Sequence, residues 1–278
     1  MAHYRALESE RPDALFRDPF ARALAGQRGE EIAADLKRHS TGTQWSVVIR
    51  TWIIDEMIQK LAAEGIDTVI NLGAGLDSRP YRLALPPSLR WIEVDYPSVI
   101  AHKERILAAE KPGVSLERIA LDLSEVAERQ KLFRRLGSNS QQALVLTEGV
   151  LPYLTEEQVA SLAADLRAEP TFRFWMAEYF SPELYRYFKS KRRELRMKNA
   201  PFVFFPTNWL GFFQNCGWVP REARYLPEEA WKVGRMMPSP WWARLLGRLM
   251  SQEKRARWAK AAAYIVYERK GNNPKDGA

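Results

Sequence analysis

Four short apolar runs, each ending near a glycine or a carboxylate and each followed by a more polar stretch, constrain this chain more than any other feature. Residues 68–72 end at Gly73-Ala74-Gly75, 90–94 at Asp95, 116–121 at Asp122-Leu123, and 143–146 run towards Glu148. A fifth run covers 172–178. Strands this short, alternating with helical patterns of about ten to fifteen residues, read as βαβ units on a mostly parallel sheet. Right-handed crossovers then wind helices onto both faces, giving a doubly wound α/β layer. Ligands of such sheets bind beyond the carboxyl ends of the strands. Gly73, Asp95, Asp122 and Glu148 all fall there.

The connecting segments support this reading. Trp45, Val48, Ile49, Trp52, Ile53, Met57 and Leu61 recur at helical spacing, and Gly65 closes that helix. Helices are expected over 97–110 and 124–136, and Thr155-Glu-Glu-Gln158 has the form of a capping box opening a helix that runs to Arg167. Further on, 208–215 reads as a helix leading into a strand that ends at Tyr225, and 262–268 as a last strand. Between them lies a Trp- and Arg-rich insertion, 226–260. A single domain with elaborations is more economical than two, with 271–278 as a frayed tail.

At 278 residues and 46% hydrophobic, the chain has ample material for a core. Its one cysteine, Cys216, forms no intramolecular disulfide and sits in no metal-ligand pattern, so no metal is expected. Residues 1–13 contain no apolar leader core, and no stretch approaches the ~20 apolar residues of a membrane span. A cytoplasmic protein is expected. The net charge of +8 is concentrated in 183–198 and 244–260, while the remainder is near neutral. These segments are either solvated helix faces or a field that gathers an anionic ligand. No RNA- or DNA-binding motif accompanies them, so nucleic acid is not the expected partner.

The strand ends carry the chemical signal. Glycines at 73 and 75 let backbone approach a ligand at a strand-to-helix turn, although any tight α/β turn has similar needs. Ser78 replaces the third glycine of a dinucleotide fingerprint, which disfavours a nicotinamide cofactor. Asp95, 20 residues after Gly75, is placed to accept both hydroxyls of a ribose, or else to cap the helix opening at Pro97. Asp122 can accept an adenine amino hydrogen beside the apolar Leu123, or again serve as a cap. Together, in this order, they suit an adenosine ligand without a pyrophosphate: S-adenosylmethionine.

The run Val69-Ile-Asn-Leu-Gly-Ala-Gly-Leu-Asp-Ser-Arg-Pro-Tyr-Arg-Leu83 resembles the signature of the leucine carboxyl methyltransferase family. So do Trp91-Ile-Glu-Val-Asp-Tyr-Pro97, Leu146-Thr-Glu-Gly-Val-Leu-Pro-Tyr-Leu154, the segment from Arg5 to Phe20, and Arg50-Thr51. The resemblance is closest to the bacterial branch, which includes O-methyltransferases of natural-product pathways. It implies one class I methyltransferase domain with a Rossmann-like, seven-stranded sheet. The expected parts are a helical cap (1–66), a cofactor core (67–180), an acceptor lid and insertion (181–260) and a last strand (261–270). By the same resemblance, Arg50 would pair with the methionyl carboxylate and Gly73, Ala74 and Gly75 would pass beneath the methionine. Asp77 and Arg79 would shape the turn. Asp95 would hold the ribose, and Asp122 with Leu123 the adenine. Glu148 would face the methionyl amine or sulfonium, and Tyr153 would line the transfer site. Glu148 and Tyr153 are the expected catalytic residues.

The acceptor implied is a carboxylate or hydroxyl of a small aromatic acid or phenol. Tyr153, Tyr179, Arg192 and Arg193 are the candidate contacts, within an aromatic and basic lid over 179–205 that includes Tyr185. Residues 238–250 could form a pocket wall, the face of a homodimer or an interfacial membrane helix, and a packed amphipathic helix favours the first two. A peptide or protein C-terminal carboxylate is the alternative acceptor, and a non-enzymatic binding protein on the same fold the alternative class. His3, His39 and His102 read as structural or solvent-facing.

Overall fold

β1 (Thr68–Leu72) is buried along its whole length because it lies at the middle of the parallel part of the sheet. It pairs in parallel with β2 (Arg90–Asp95) on one side and β4 (Ala143–Thr147) on the other. β3 (Ser115–Ala120) extends the sheet past β2, and β5 (Phe172–Phe180) past β4, both in parallel. The computed structural model describes residues 1–39, 42–188, 201–238 and 250–271.

The last strand, β7 (Ala262–Arg269), does not continue the chain order. It inserts antiparallel between β5 and β6 (Trp218–Tyr225), giving the order β3-β2-β1-β4-β5-β7-β6. Its composition accounts for this place. Ala263, Ile265 and Tyr267 join the core on one sheet face, while Tyr264 and Val266 join the core on the other. A strand that is apolar on both faces belongs inside a sheet. β3 and β6 carry the polar residues Glu117, Arg118, Glu222 and Arg224 and form the two edges, where charged side chains discourage further pairing.

Helices cover both faces. α1 (Ala2–Ser9), α2 (Ala21–His39, broken at Gly26) and α3 (Gly42–Ala63) precede the sheet. α3 buries Ile49, Ile53, Met57 and Leu61 in the cluster that holds Val69, Leu144, Leu146, Phe174 and Met176. α4 (Arg79–Arg82) and α5 (Pro97–Ile106) follow β1 and β2. On the opposite face, α6 (Val126–Ser138) and α7 (Glu156–Ala168) contribute Leu132, Phe133, Leu136, Val159, Leu162 and Leu166 to the cluster around Ile70, Val145 and Trp175. The capping box opens α7 as expected: the Gln158 N–H donates to Thr155 Oγ1 at 3.2 Å, and the Thr155 N–H to Gln158 Oε1 at 2.8 Å.

α5 ends at Ile106, short of the expected 110, and α6 begins at Val126 rather than at 124. The second shift has a local cause, since Asp122 Oδ1 takes the Ser124 N–H at 2.9 Å and holds a turn there.

The lid reading needs correction at Tyr185. This residue, on the helix Pro182–Phe188, is buried and packs against Phe205 and Trp209, with ring centroids 4.9 and 5.9 Å away. Aromatic rings gain more from a closed cluster than from a polar lid surface. Arg192 and Arg193, with most of the basic run 183–198, lie outside the described residues, as do 239–249. No described helix is long and apolar enough to cross a membrane.

Candidate functional site

The parallel register brings the predicted ligand residues to one edge of the sheet. Asp95 ends β2, opposite Ala120 at the end of β3, so Asp122 follows on the neighbouring strand. Leu72 and Thr147 are register partners, and therefore Gly73 and Glu148 leave adjacent strands side by side. Thr147 in turn is paired with Ala177, which puts Glu178 next in line on β5. Across the sheet the edge reads Asp122, Asp95, Gly73–Gly75, Glu148, Glu178.

The glycine turn is fastened to β2. The N–H groups of Gly73 and Ala74 both donate to the Val94 carbonyl, at 2.8 and 3.2 Å. Gly73 adopts φ +69° and Gly75 φ +50°, the left-handed region that favours glycine. A Cβ on Gly73 would stand 2.5 Å from Val150 Cγ2, whereas one on Gly75 would point into nearly open space. The turn thus packs on its Val150 side and is bare at Gly75.

Asp95 does not cap the next helix. Tyr96 occupies the N-cap position of α5 with no side-chain cap bond. The Asp95 carboxylate instead accepts the Gly75 N–H on Oδ2 at 2.6 Å and the Tyr96 N–H on Oδ1 at 2.7 Å. Asp122 is half-buried, with Leu123 packed against the core beside it.

Behind this edge runs a buried chain of charges. Arg79, 2% exposed, donates from Nε to Asp55 Oδ1 at 2.7 Å, and from Nη1 to Asp77 Oδ2 and Glu148 Oε2, each at 2.8 Å. Arg82 holds Asp55 at 2.6 and 2.8 Å, and its Nε lies 3.8 Å from Asp18, which Arg5 holds at 2.8 Å. At the other end, Arg50 Nε approaches Glu148 Oε1 at 2.9 Å, an ion pair without the alignment of a hydrogen bond. Burial works against ionisation of Asp77 and Glu148. Arg79 nonetheless holds Asp77 well below the usual carboxylate range, and Arg79 with Arg50 lowers Glu148.

These contacts set the chemistry open to the two residues expected to be catalytic. Glu148 already has two cations of the protein's own, and a carboxylate so held carries a proton poorly. Tyr153, on the short 3-10 turn Leu151–Tyr153, is half exposed, and its ring lies 5.2 Å from Phe202. Burial raises its phenol above the ordinary value, so it stays protonated at neutral pH. Tyr179 goes elsewhere. Strand alternation turns it to the face opposite Glu178, where it packs edge-on against Trp209 and Tyr225.

Sequence reading missed Asp55, Arg82 and Glu178. Asp55 was visible as a charged residue within an apolar helix face. Glu178 was visible by the same strand-end rule that selected its neighbours. It is 2% exposed, and neither carboxyl oxygen has a side-chain hydrogen-bond partner among the described residues, the nearest donors being the backbone N–H groups of Glu178 itself and Val150. Burial raises its carboxyl to about 8. A surface groove of about 840 Å³ lies elsewhere, lined by Pro227, Trp231, Met236, Met250 and Trp258 among others, and none of the predicted site residues among the described ones lines it.

A seven-stranded, mostly parallel sheet with one antiparallel strand inserted next to the edge is the class I methyltransferase architecture. Two crystal structures share it at 16% identity, a level that establishes the fold alone. A DUF574-family protein from Streptomyces avermitilis has a TM-score of 0.60 over 97% of each chain. A protein from Thermobifida fusca named as a methyltransferase has 0.58, over 98% of this chain and 95% of that one. The chain belongs to the leucine carboxyl methyltransferase family, whose model matches residues 1–167. A Streptomyces coelicolor protein named as an S-adenosyl-L-methionine-dependent methyltransferase is 37% identical over 179 residues, 59% of this chain and 61% of that one. A similarly named Frankia alni protein is 29% identical over 257 residues, 86% of this chain and 88% of that one. The match thus spans about three fifths of the first relative's length.

Proposed function

We propose that this chain is an S-adenosylmethionine-dependent O-methyltransferase whose acceptor is a carboxylate or hydroxyl of a small acid or phenol, in keeping with natural-product chemistry. The observation that carries the reading is the register that gathers Asp122, Asp95, the glycine turn and Glu148 on one sheet edge, with Arg50 of α3 beside them. The residues fit the ligand. Gly75 offers backbone with nearly open space above it, Asp95 faces that turn, and the guanidinium of Arg50 offers N–H groups to a carboxylate.

When bound, S-adenosylmethionine supplies a methyl group on a positively charged sulfur. Asp95 would hold the ribose, Asp122 and Leu123 the adenine, and Arg50 the methionyl carboxylate. Glu148, fixed between Arg50 and Arg79, would orient Arg50 rather than meet the ligand amine directly. Tyr153 would donate a hydrogen bond at the transfer site. An enzyme of this kind gains chiefly by aligning the acceptor in a dry site. Glu148 is ion-paired, Tyr153 stays protonated, and His102 is tied to the Leu24 carbonyl at 3.1 Å. That favours a carboxylate acceptor, which is ionised at neutral pH and needs no base.

Calorimetry with S-adenosylhomocysteine tests the first half of the reading, and absence of binding sinks it. Mass spectrometry with a panel of aromatic acids and phenols tests the second. A methyl ester is cleaved by mild alkali and a methyl ether is not, so the product separates the two acceptor types.

A further inference from the structure

Glu178 is unexplained by the site as described. It lies on the same sheet face as α3, in line with Phe174 and Met176 of its own strand and beside Glu148 on the next. The side chains of Arg5, Arg82, Arg79 and Arg50 are matched by those of Asp18, Asp55, Asp77 and Glu148, and burial beside Arg5 and Arg50 lowers the nearby Met1 amine to about 6, so the neighbouring chain of charges is close to neutral at pH 7. The groups that act on Glu178 are the backbone N–H groups of Glu178 itself and of Val150, Arg50 from α3, Glu148 after β4, Tyr153 and Tyr185, and Tyr264 and Tyr267 from β7. Burial keeps all four tyrosines neutral near pH 7, and Arg50 is engaged by Glu148. A buried carboxyl with no side-chain partner is costly, and more so when ionised, and here burial outweighs the backbone N–H groups near it.

We propose that Glu178 supplies the counter-charge that makes this site prefer a cationic methyl donor to its neutral demethylated product. The inference rests on the proposed function. S-adenosylmethionine carries a sulfonium, an ammonium and a carboxylate, for one net positive charge, and S-adenosylhomocysteine lacks the sulfonium. Empty, the site keeps Glu178 protonated. Entry of the cation makes the ionised carboxylate favourable, and the proton leaves to solvent. Loss of the methyl group removes the positive charge, Glu178 takes a proton back, and the product is held less tightly. A buried switch of this type couples ligand charge to proton uptake by ordinary linkage.

The test is calorimetric titration of the full chain with each ligand, without acceptor, in two buffers of different ionisation enthalpy. At pH 7 the wild type is expected to release about one proton more with S-adenosylmethionine than with S-adenosylhomocysteine, and its affinity for the former to rise about tenfold from pH 6 to 7. In Glu178→Gln the excess proton disappears, and the preference for the cationic ligand falls by about tenfold or more. The wild-type comparison stands by itself if the variant fails to fold. Binding of both ligands with equal proton counts overturns the role of Glu178 and leaves the cofactor reading intact. Binding of neither overturns both.

Discussion

The Gly75 N–H donates to Asp95 Oδ2 at 2.6 Å, which joins two strand ends 20 residues apart in sequence into one surface. The carboxylate fixes the glycine turn, and under the proposed function it would also hold the ligand's ribose at the same edge. Asp95→Ala is expected to weaken S-adenosylhomocysteine binding by about tenfold or more, the range of a lost hydrogen bond to a charged group. Calorimetry against the wild type checks this. Unchanged affinity would remove Asp95 from the ribose.

Arg79 is the hub of the buried chain of charges, bridging Asp55, Asp77 and Glu148. Arg79→Met leaves three buried carboxylates short of a partner and is expected to cost about 3–5 kcal/mol in urea unfolding. Arg79→Lys should recover little, because a single ammonium cannot reproduce a planar fork spanning three acceptors. Full recovery by lysine would mean that charge alone suffices there.

The two glycines should separate experimentally. Gly75→Ala meets nearly open space and carries mainly the left-handed backbone cost of about 1–2 kcal/mol. Gly73→Ala adds a clash with Val150 Cγ2, so it should be the more destabilising, and Val150→Ala should relieve part of that excess. Equal losses in thermal unfolding would contradict the packing described.

Stability should depend on pH from both sides. Asp77 and Glu148 are lowered in the folded chain, so their contribution is present above the ordinary carboxylate range and fades as pH falls through it. Glu178 is raised from 4.5 to about 8, so its contribution is full below the former value and is lost as pH climbs towards the latter. The melting temperature should therefore peak in mildly acid solution. Glu178→Gln should flatten the decline from about pH 5 to 8 and leave the acid limb unchanged. An alkaline limb that the variant does not alter would show that Glu178 is not its source.

Local signals in the sequence carried a long way. The capping box at Thr155 and the apolar spacing of Ile49, Ile53, Met57 and Leu61 depend on neighbours three or four residues distant, and each appears in the structure as read. The strand ends were equally legible, since a ligand edge in a wound sheet must follow the apolar runs. Glu178 obeyed that rule and was passed over. Tyr185 failed the opposite test, because a basic and aromatic composition does not say whether a ring faces solvent or Trp209.

What the sequence determined by itself is the alternation of strands and helices, the family, and the row of residues at the strand ends. Hydrophobic period and turn chemistry are written in consecutive residues. Tertiary structure alone decided that β7 slips between β5 and β6, that Arg79 meets Asp55 from 24 residues away, and that Glu178 is buried with no side-chain hydrogen bond among the described residues. Strand pairing, ion-pair choice and desolvation depend on which distant segments share a space, and separation along a chain does not encode that.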